Sequence, residues 1–204
     1  CGYNIKHTED WERYIPMLIR MLENTKERYI KLYTSGSFLD VQELYPNHVQ
    51  SIINTLNGRI DRLLVESRAE FINRESLSIF EDVSFEVEIA IGIETMDDEI
   101  RERCVNKGMT TEHMEAMQLV KALGHYLLTY VLLKPLFLTE MDAINDCNST
   151  INALEAWADC ISINPVCVHA GTYLERLWKH GLYHPPWLWS VLEVLKHGCS
   201  KRVV

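Results

Sequence analysis

Apolar positions follow two alternating rhythms along the 204 residues. In "DWERYIPMLIRMLENTK", Trp11, Tyr14, Ile15, Leu18, Ile19 and Leu22 recur at three- and four-residue spacing, which predicts a helix with one buried face. "RYIKLYTS" then breaks into a short β-branched and aromatic run that stops at Gly36 and reads as a strand. The exchange repeats. "VQELYPNHVQSIINTL" is helical in its second half, "IDRLLVES" is a strand, and a short helix around "EFINRESLSIF" leads to the strand "SFEVEIAIGIE". "DDEIRERC" and "TEHMEAMQLVKAL" are helical, "HYLLTYVLLKP" is a strand and "EMDAINDCNSTINALEAW" a helix. "ADCISINPV" is the fifth strand, and "PPWLWSVLEVLK" is a last helix with proline at its start.

Regular alternation of strand and helix predicts an α/β fold, a parallel sheet with helices outside. Periodicity alone fits a doubly wound sheet and a barrel or partial barrel equally. In both, the loops after the strand C-termini face one crevice. The strand ends carry Gly36-Ser37-Phe38-Leu39-Asp40, Glu66-Ser67-Arg68, Ile93-Glu94-Thr95, Lys134-Pro135 and Asn164-Pro165. Singly, such residues serve as turns and helix caps. Gathered on one face, they predict a site.

A net charge of −9 argues against nucleic-acid binding over the whole surface. The charge is uneven, however. From Leu174 to Val204 five Lys/Arg stand against two acids, which is +3 and leaves −12 for the rest. Trp178, Tyr183, Trp187 and Trp189 are interleaved there. The segment therefore reads either as an RNA-facing surface or as a helix that packs its tryptophans on the core. No apolar run reaches the ~18 residues of a membrane span. Six cysteines, at 1, 104, 147, 160, 167 and 199, form no CxxC pair. They predict reduced, cytoplasmic thiols, buried in the five cases other than Cys1. GxSxG, GxxxxGK[ST] and GxGxxG are absent, and no two histidines stand at metal spacing.

"EVEIAIGIETMDDEIRERCVNKGMT" resembles the fourth-strand segment of radical S-adenosylmethionine (SAM) enzymes related to the Elongator catalytic subunit and to coproporphyrinogen oxidase. "LYTSGSFLD" occupies the place of that superfamily's Gly-Gly-Glu motif. "VESRAEFI" resembles its third-strand motif, with Ala69 where proline is usual. "CGYN", "KPLFLTEMDAINDCNSTI" and "ISINPVCVHAGTYLERLWKHGLYHPPWLWSVLEVLK" narrow the resemblance to the radical SAM proteins of archaeosine synthesis, over nearly all 204 residues.

The resemblance implies a partial (β/α) TIM-like barrel lacking its first strand over residues 1–172, and a helical, basic and aromatic extension over 173–204. It implies a [4Fe–4S] cluster and SAM as cofactors. Cys1 would be the third cysteine of a CxxxCxxC motif whose other two precede it. Thr34, Ser35, Gly36, Ser37, Glu66, Glu94 and Lys107 would contact SAM, with Lys134 and Asn164 on the substrate side. The implied enzyme is a lyase. It would cleave, by a 5′-deoxyadenosyl radical, the lysine C–N bond of lysine-modified 7-cyano-7-deazaguanine in tRNA, leaving archaeosine. Implied partners are the tRNA, a lysine-transferring archaeosine-synthase subunit and an electron donor, in the cytoplasm and without a membrane. Catalysis is expected of a protein with all three cluster cysteines, not of a chain beginning at Cys1. The alternatives are an Elongator-like or methylthiotransferase-like RNA enzyme and, from another class, a non-catalytic binding module.

Overall fold

The β-branched and leucine-rich runs become five parallel strands: β1 (Tyr29–Leu32), β2 (Arg62–Glu66), β3 (Glu86–Glu94), β4 (Tyr126–Leu133) and β5 (Cys160–Pro165). The computed structural model describes residues 11–34, 36–105, 107, 110–199 and 202–204, so the expectations for Cys1 and Ser35 lie outside the described residues. The strands neighbour one another in chain order, β1-β2-β3-β4-β5. A doubly wound sheet reverses direction at a switch point, whereas this sheet grows one way only, as a sector of a (β/α) barrel does. The structure thus decides between the two architectures that periodicity left open.

The helices are α1 (Trp11–Asn24), α2 (Pro46–Leu56), α3 (Arg74–Leu77), α4 (Asp98–Ile100), α5 (Thr110–Ala122), α6 (Glu140–Leu154), α7 (Tyr173–Lys179) and α8 (Leu188–Gly198). One wide π-type turn, Arg101–Val105, extends α4. Side chains alternate across each strand. Leu63, Val65, Ile89, Ile91, Leu127 and Val131 are fully buried on the face that meets the helices. Burying each contributes roughly 1.5–3 kcal/mol relative to exposure, so this layer dominates stability.

The opposite, inner face is built differently. Only Leu64, Ala90 and Leu128 form a small apolar cluster there, flanked by Tyr130 and Cys160. Its lower end, at the strand N-termini, is closed by a polar plug. Tyr29 donates to Glu88 at 2.7 Å, Arg62 pairs with Glu86 at 2.6 Å, and the Arg62 guanidinium stacks 4.2 Å from the Tyr126 ring. Burial and the neighbouring Glu88 carboxylate raise the pKa of the Tyr29 hydroxyl. Polar side chains therefore line the inner face above and below a narrow apolar floor.

One sequence expectation is corrected, and one open alternative is decided. Of the five cysteines expected to be buried, Cys147 is buried, Cys104 and Cys160 are half-buried, and Cys167 and Cys199 are exposed. The exposed pair follow the ends of β5 and α8, beyond the packed layer. The tryptophans of the C-terminal segment do not pack on the core either: Trp178, Trp187 and Trp189 are exposed, and it is Tyr183 that is buried. Helix α7, which the periodicity did not separate from its loop, is capped by Thr172 accepting from the Glu175 amide.

Candidate functional site

The end of β3 supplies the first element of the site. The β3–β4 register shifts between Gly92 and Glu94, and Glu94 adopts a left-handed backbone, φ 67°. A non-glycine residue held there costs of order 1–3 kcal/mol unless its surroundings fix it. The Lys107 ammonium lies on the same spot, donating to Glu94 Oε1 at 2.6 Å and to the Gly92 carbonyl at 2.9 Å. A Cβ at Gly92 would stand 2.6 Å from Glu94 Oε1 and 2.7 Å from Lys107 Nζ. Glycine leaves the room in which this ion pair sits over bare backbone.

What fixes the pair is Arg101. Its guanidinium donates to the Thr95 carbonyl, and its own carbonyl accepts the Lys107 amide at 3.3 Å. One residue thus fastens the chain beside both charges. Helix α6 holds the same turn. The Thr95 hydroxyl donates to Asp146 at 2.6 Å, and the Met96 amide donates to the Thr150 hydroxyl at 3.0 Å. Burial lifts the Asp146 acid to about 6, against the lowering effects of the Thr95 hydrogen bond and the Arg101 charge. Burial likewise lowers the Arg101 pKa, opposed by Asp98, Glu94 and Asp146. Among the described residues, Arg101 Nε and Nη1 and Asp146 Oδ2 have no hydrogen-bond partner.

Arg101 and Asp146 escaped the sequence reading. An arginine among acids after a strand reads as a solvated helix residue, and nothing in its spacing signals 1% exposure.

Glu66 lies on the inner face, its Cα in register with Ala90, below the rim. Burial raises its pKa, and a hydrogen bond from Tyr130 partly offsets this. Burial also raises the Tyr130 hydroxyl, reinforced by Glu66 and then by Tyr33. Tyr130 therefore stands between Glu66 and Tyr33 on the inner face, close enough to act on both. Tyr130 and Tyr33 were absent from the candidate residues, since aromatics in strands read as core. Asn164, half-buried, stands in register with Leu132 at the end of β5.

The loop after β1 completes the rim. Phe38 donates to the Glu66 carbonyl at 2.9 Å, and Ser67 donates to the Ala90 carbonyl at 3.0 Å, so the first three strand ends are stitched together. Ser37 is fully buried; its hydroxyl shares a hydrogen bond with Ser67 at 2.8 Å and accepts the Arg68 amide at 3.0 Å. That is a scaffold arrangement. Glu43, unnoticed in the sequence, lays its carboxylate over Gly36, 1.7 Å from where a Cβ would be, and accepts the Ser37 amide at 2.6 Å. The Thr34 hydroxyl is buried and has no hydrogen-bond partner among the described residues.

Lys134 is employed elsewhere. Buried and left-handed at φ 65°, it pairs with Glu140, and its carbonyl accepts from Tyr183 at 2.9 Å. The structure brings Gly92, Glu94 and Lys107 together, sets Glu66 below them, and joins Lys134 to α6 and the C-terminal segment. Among the described residues no group of three or more His, Cys, Asp or Glu is placed to hold a metal ion. No helix among them is long and apolar enough to cross a membrane.

A chain-ordered parallel sheet with its polar residues at the C-terminal rim is a sector of a (β/α) barrel, a partial TIM barrel. Elp3 of Methanocaldococcus infernus with its N-terminus deleted superposes with a TM-score of 0.68 at 16% identity, covering 92% of this chain and 49% of that one. At that identity the likeness is one of fold. Sequence similarity is more particular. Archaeosine synthase subunit beta of Methanosarcina acetivorans is 38% identical over 205 aligned residues, 97% of this chain and 59% of that protein. The protein of the same name from Thermococcus kodakarensis is 37% identical over 190, covering 89% and 58%. The chain spans less than two thirds of the length of these curated relatives. No family model matches.

Proposed function

We propose that the protein is the radical SAM component of archaeosine formation, acting on lysine-modified 7-cyano-7-deazaguanine in tRNA and breaking the lysine C–N bond. The observation that carries this reading is the Glu94–Lys107 pair over Gly92. SAM ends in an amino-acid group with one ammonium and one carboxylate. A neighbouring carboxylate and ammonium on open backbone can exchange their mutual contact for those two charges. The orphaned Thr34 hydroxyl on the same rim supplies a further donor and acceptor. The names of the curated relatives support the substrate class.

In this reading Lys107 holds the carboxylate of SAM and Glu94 its ammonium, while Arg101 and Thr95 keep the pair in place. Glu66, steadied by Tyr130, faces the interior where a substrate side chain or ribose hydroxyls would sit, and Asn164 faces them from β5. Gly36 and Ser37 shape the rim through Glu43 and Ser67. Lys134 is assigned to the scaffold. Cys1, with two preceding cysteines, would ligate the cluster. Bound there, the cluster and SAM supply radical chemistry that the side chains alone do not. Residues 1–172 would form the catalytic half-barrel and 173–204 an accessory segment. A lysine-transferring subunit would provide the modified tRNA and a reductant the electron.

The test is anaerobic reconstitution of the protein carrying all three cluster cysteines, with reductant, SAM and lysine-modified tRNA. Formation of 5′-deoxyadenosine and archaeosine, with SAM affinity reduced at least about tenfold in Glu94→Gln and Lys107→Met, is the expected result. Wild-type SAM affinity in both variants would remove the assignment of the site. A fully loaded cluster that yields no 5′-deoxyadenosine would remove the enzymatic reading.

A further inference from the structure

Six large apolar side chains, Phe137, Met141, Leu182, Trp187, Leu188 and Trp189, are between 63% and 77% exposed. Soluble surfaces seldom carry such side chains side by side without a partner. They lie on two segments that clasp one another. Glu140, between Phe137 and Met141, accepts the Trp187 amide at 2.8 Å, and Tyr183 donates to the Lys134 carbonyl at 2.9 Å. The clasp contains the largely buried Lys134–Glu140 ion pair, so the indoles and leucines are held out on a rigid base. Residues 134–139 follow the end of β4, and α7 follows the end of β5. The patch therefore stands at the same strand C-terminal rim as the candidate site.

Its charge is also distinct. Between Arg176 and Leu192 there is no Asp or Glu, while Arg176, Lys179, His180 and His184 fall within that stretch of a chain whose net charge is −9. Glu140 is compensated by Lys134, and the Asp142 carboxylate accepts from Thr139. Lys179 pairs with Glu175 at an exposed position, a contact easily exchanged for a phosphate. Exposed indole faces and exchangeable cations in one stretch of chain are what unstacked nucleotides require.

We propose that this patch is a stacking platform for unpaired nucleotides of the RNA, next to the nucleotide presented to the rim. The proposal rests on the tRNA reading above and adds where the RNA lies. Trp187 and Trp189 provide the faces, Arg176 and Lys179 the phosphate contacts.

The experiment measures binding of a fluorescently labelled tRNA transcript at fixed low salt by anisotropy, with melting curves confirming that each variant is folded. Trp187→Ala and Trp189→Ala should each weaken binding about tenfold, since one base–aromatic stack contributes ~1–3 kcal/mol. Trp189→Phe should retain most of the affinity, and Met21→Ala, on α1, should change nothing. SAM cleavage without RNA should be unaffected by the tryptophan variants. Unchanged tRNA affinity in both alanine variants overturns the proposal. So does unchanged affinity accompanied by loss of self-association or of binding to the lysine-transferring subunit, which would make the patch a protein interface. If SAM is never cleaved yet tRNA binding depends on the tryptophans, the platform stands and the catalytic reading falls.

Discussion

Glu140 on α6 accepts the backbone N–H of Trp187, 47 residues later, at 2.8 Å. Helix α8 begins after Trp187 with no side-chain cap of its own, so a carboxylate from another helix supplies the missing acceptor. The same carboxylate takes the Ser190 hydroxyl and the Lys134 ammonium. Burial pushes the Glu140 pKa up, but these hydrogen bonds outweigh it and the net direction is down.

Glu140→Ala should therefore cost about 2–4 kcal/mol, because it uncaps α8 and leaves Lys134 buried without its partner. Lys134→Met should cost less, since it removes the buried charge together with the contact. Urea midpoints at unchanged m-value check the order of the two. A folded-state pKa below the unfolded one means this contribution is present above the unfolded value and lost as pH falls through the folded value.

Asp146 behaves in the opposite sense. Its acid lies near 6 in the folded chain, above its ordinary value of 3.8. Between those values the folded state binds more protons than the unfolded state, so Asp146 removes stability as pH rises through the window. Asp146→Asn keeps an acceptor for Thr95. It should gain stability relative to wild type between pH 4 and 6, by of order 1–3 kcal/mol, and then hold a constant difference. A constant difference across the whole window would count against a raised Asp146.

Gly92→Ala separates ligand binding from folding. The atoms its Cβ would meet are the tips of Glu94 and Lys107, flexible ends that can swing away. Stability should fall by no more than about 1 kcal/mol, whereas SAM affinity should drop at least about tenfold as the pair is displaced. Calorimetric titration beside thermal melting reads the two effects.

Reversing the pair tests its polarity. Glu94→Lys combined with Lys107→Glu can restore the ion pair and near-wild-type stability. It presents each charge of an amino-acid ligand with the wrong neighbour, so SAM binding should not return. Recovery of SAM affinity in the double variant would show that net charge, not placement, governs the site.

The strands were legible because each is a β-branched or leucine-rich run bounded by turn residues, and "SFEVEIAIGIE" became β3 almost residue for residue. Strand order was not, since alternation says nothing about which edge receives the next strand. Glu94 and Lys107 were readable through motif position and do meet. Arg101, Asp146 and Glu43 were hidden, because their roles arise from burial and from partners on other elements. The surroundings of Lys134 were hidden for a related reason. It stands where a strand-end lysine would face a ligand, and its left-handed backbone and pairing with Glu140 could not be read from the chain. The strings "KPLFLTE" and "PPWLWS" look like separate signatures in one dimension, yet they are the two sides of that clasp.

Strand order identical to chain order bears on how the molecule is made. Each new strand emerging during synthesis finds its docking edge already formed by the strand before it, so the sheet can lengthen vectorially from β1 to β5 with no gap held open for a later insertion. At every stage the bare edge of the newest strand is an exposed liability, and the next βα unit covers it. The edge of β5 is covered in turn, as Ile161 donates to the Arg202 carbonyl at 3.0 Å and Ile163 to the Val204 carbonyl at 2.9 Å. Residues 202–204 thus cover the β5 edge through backbone hydrogen bonds, which shields that strand from pairing with a neighbouring chain.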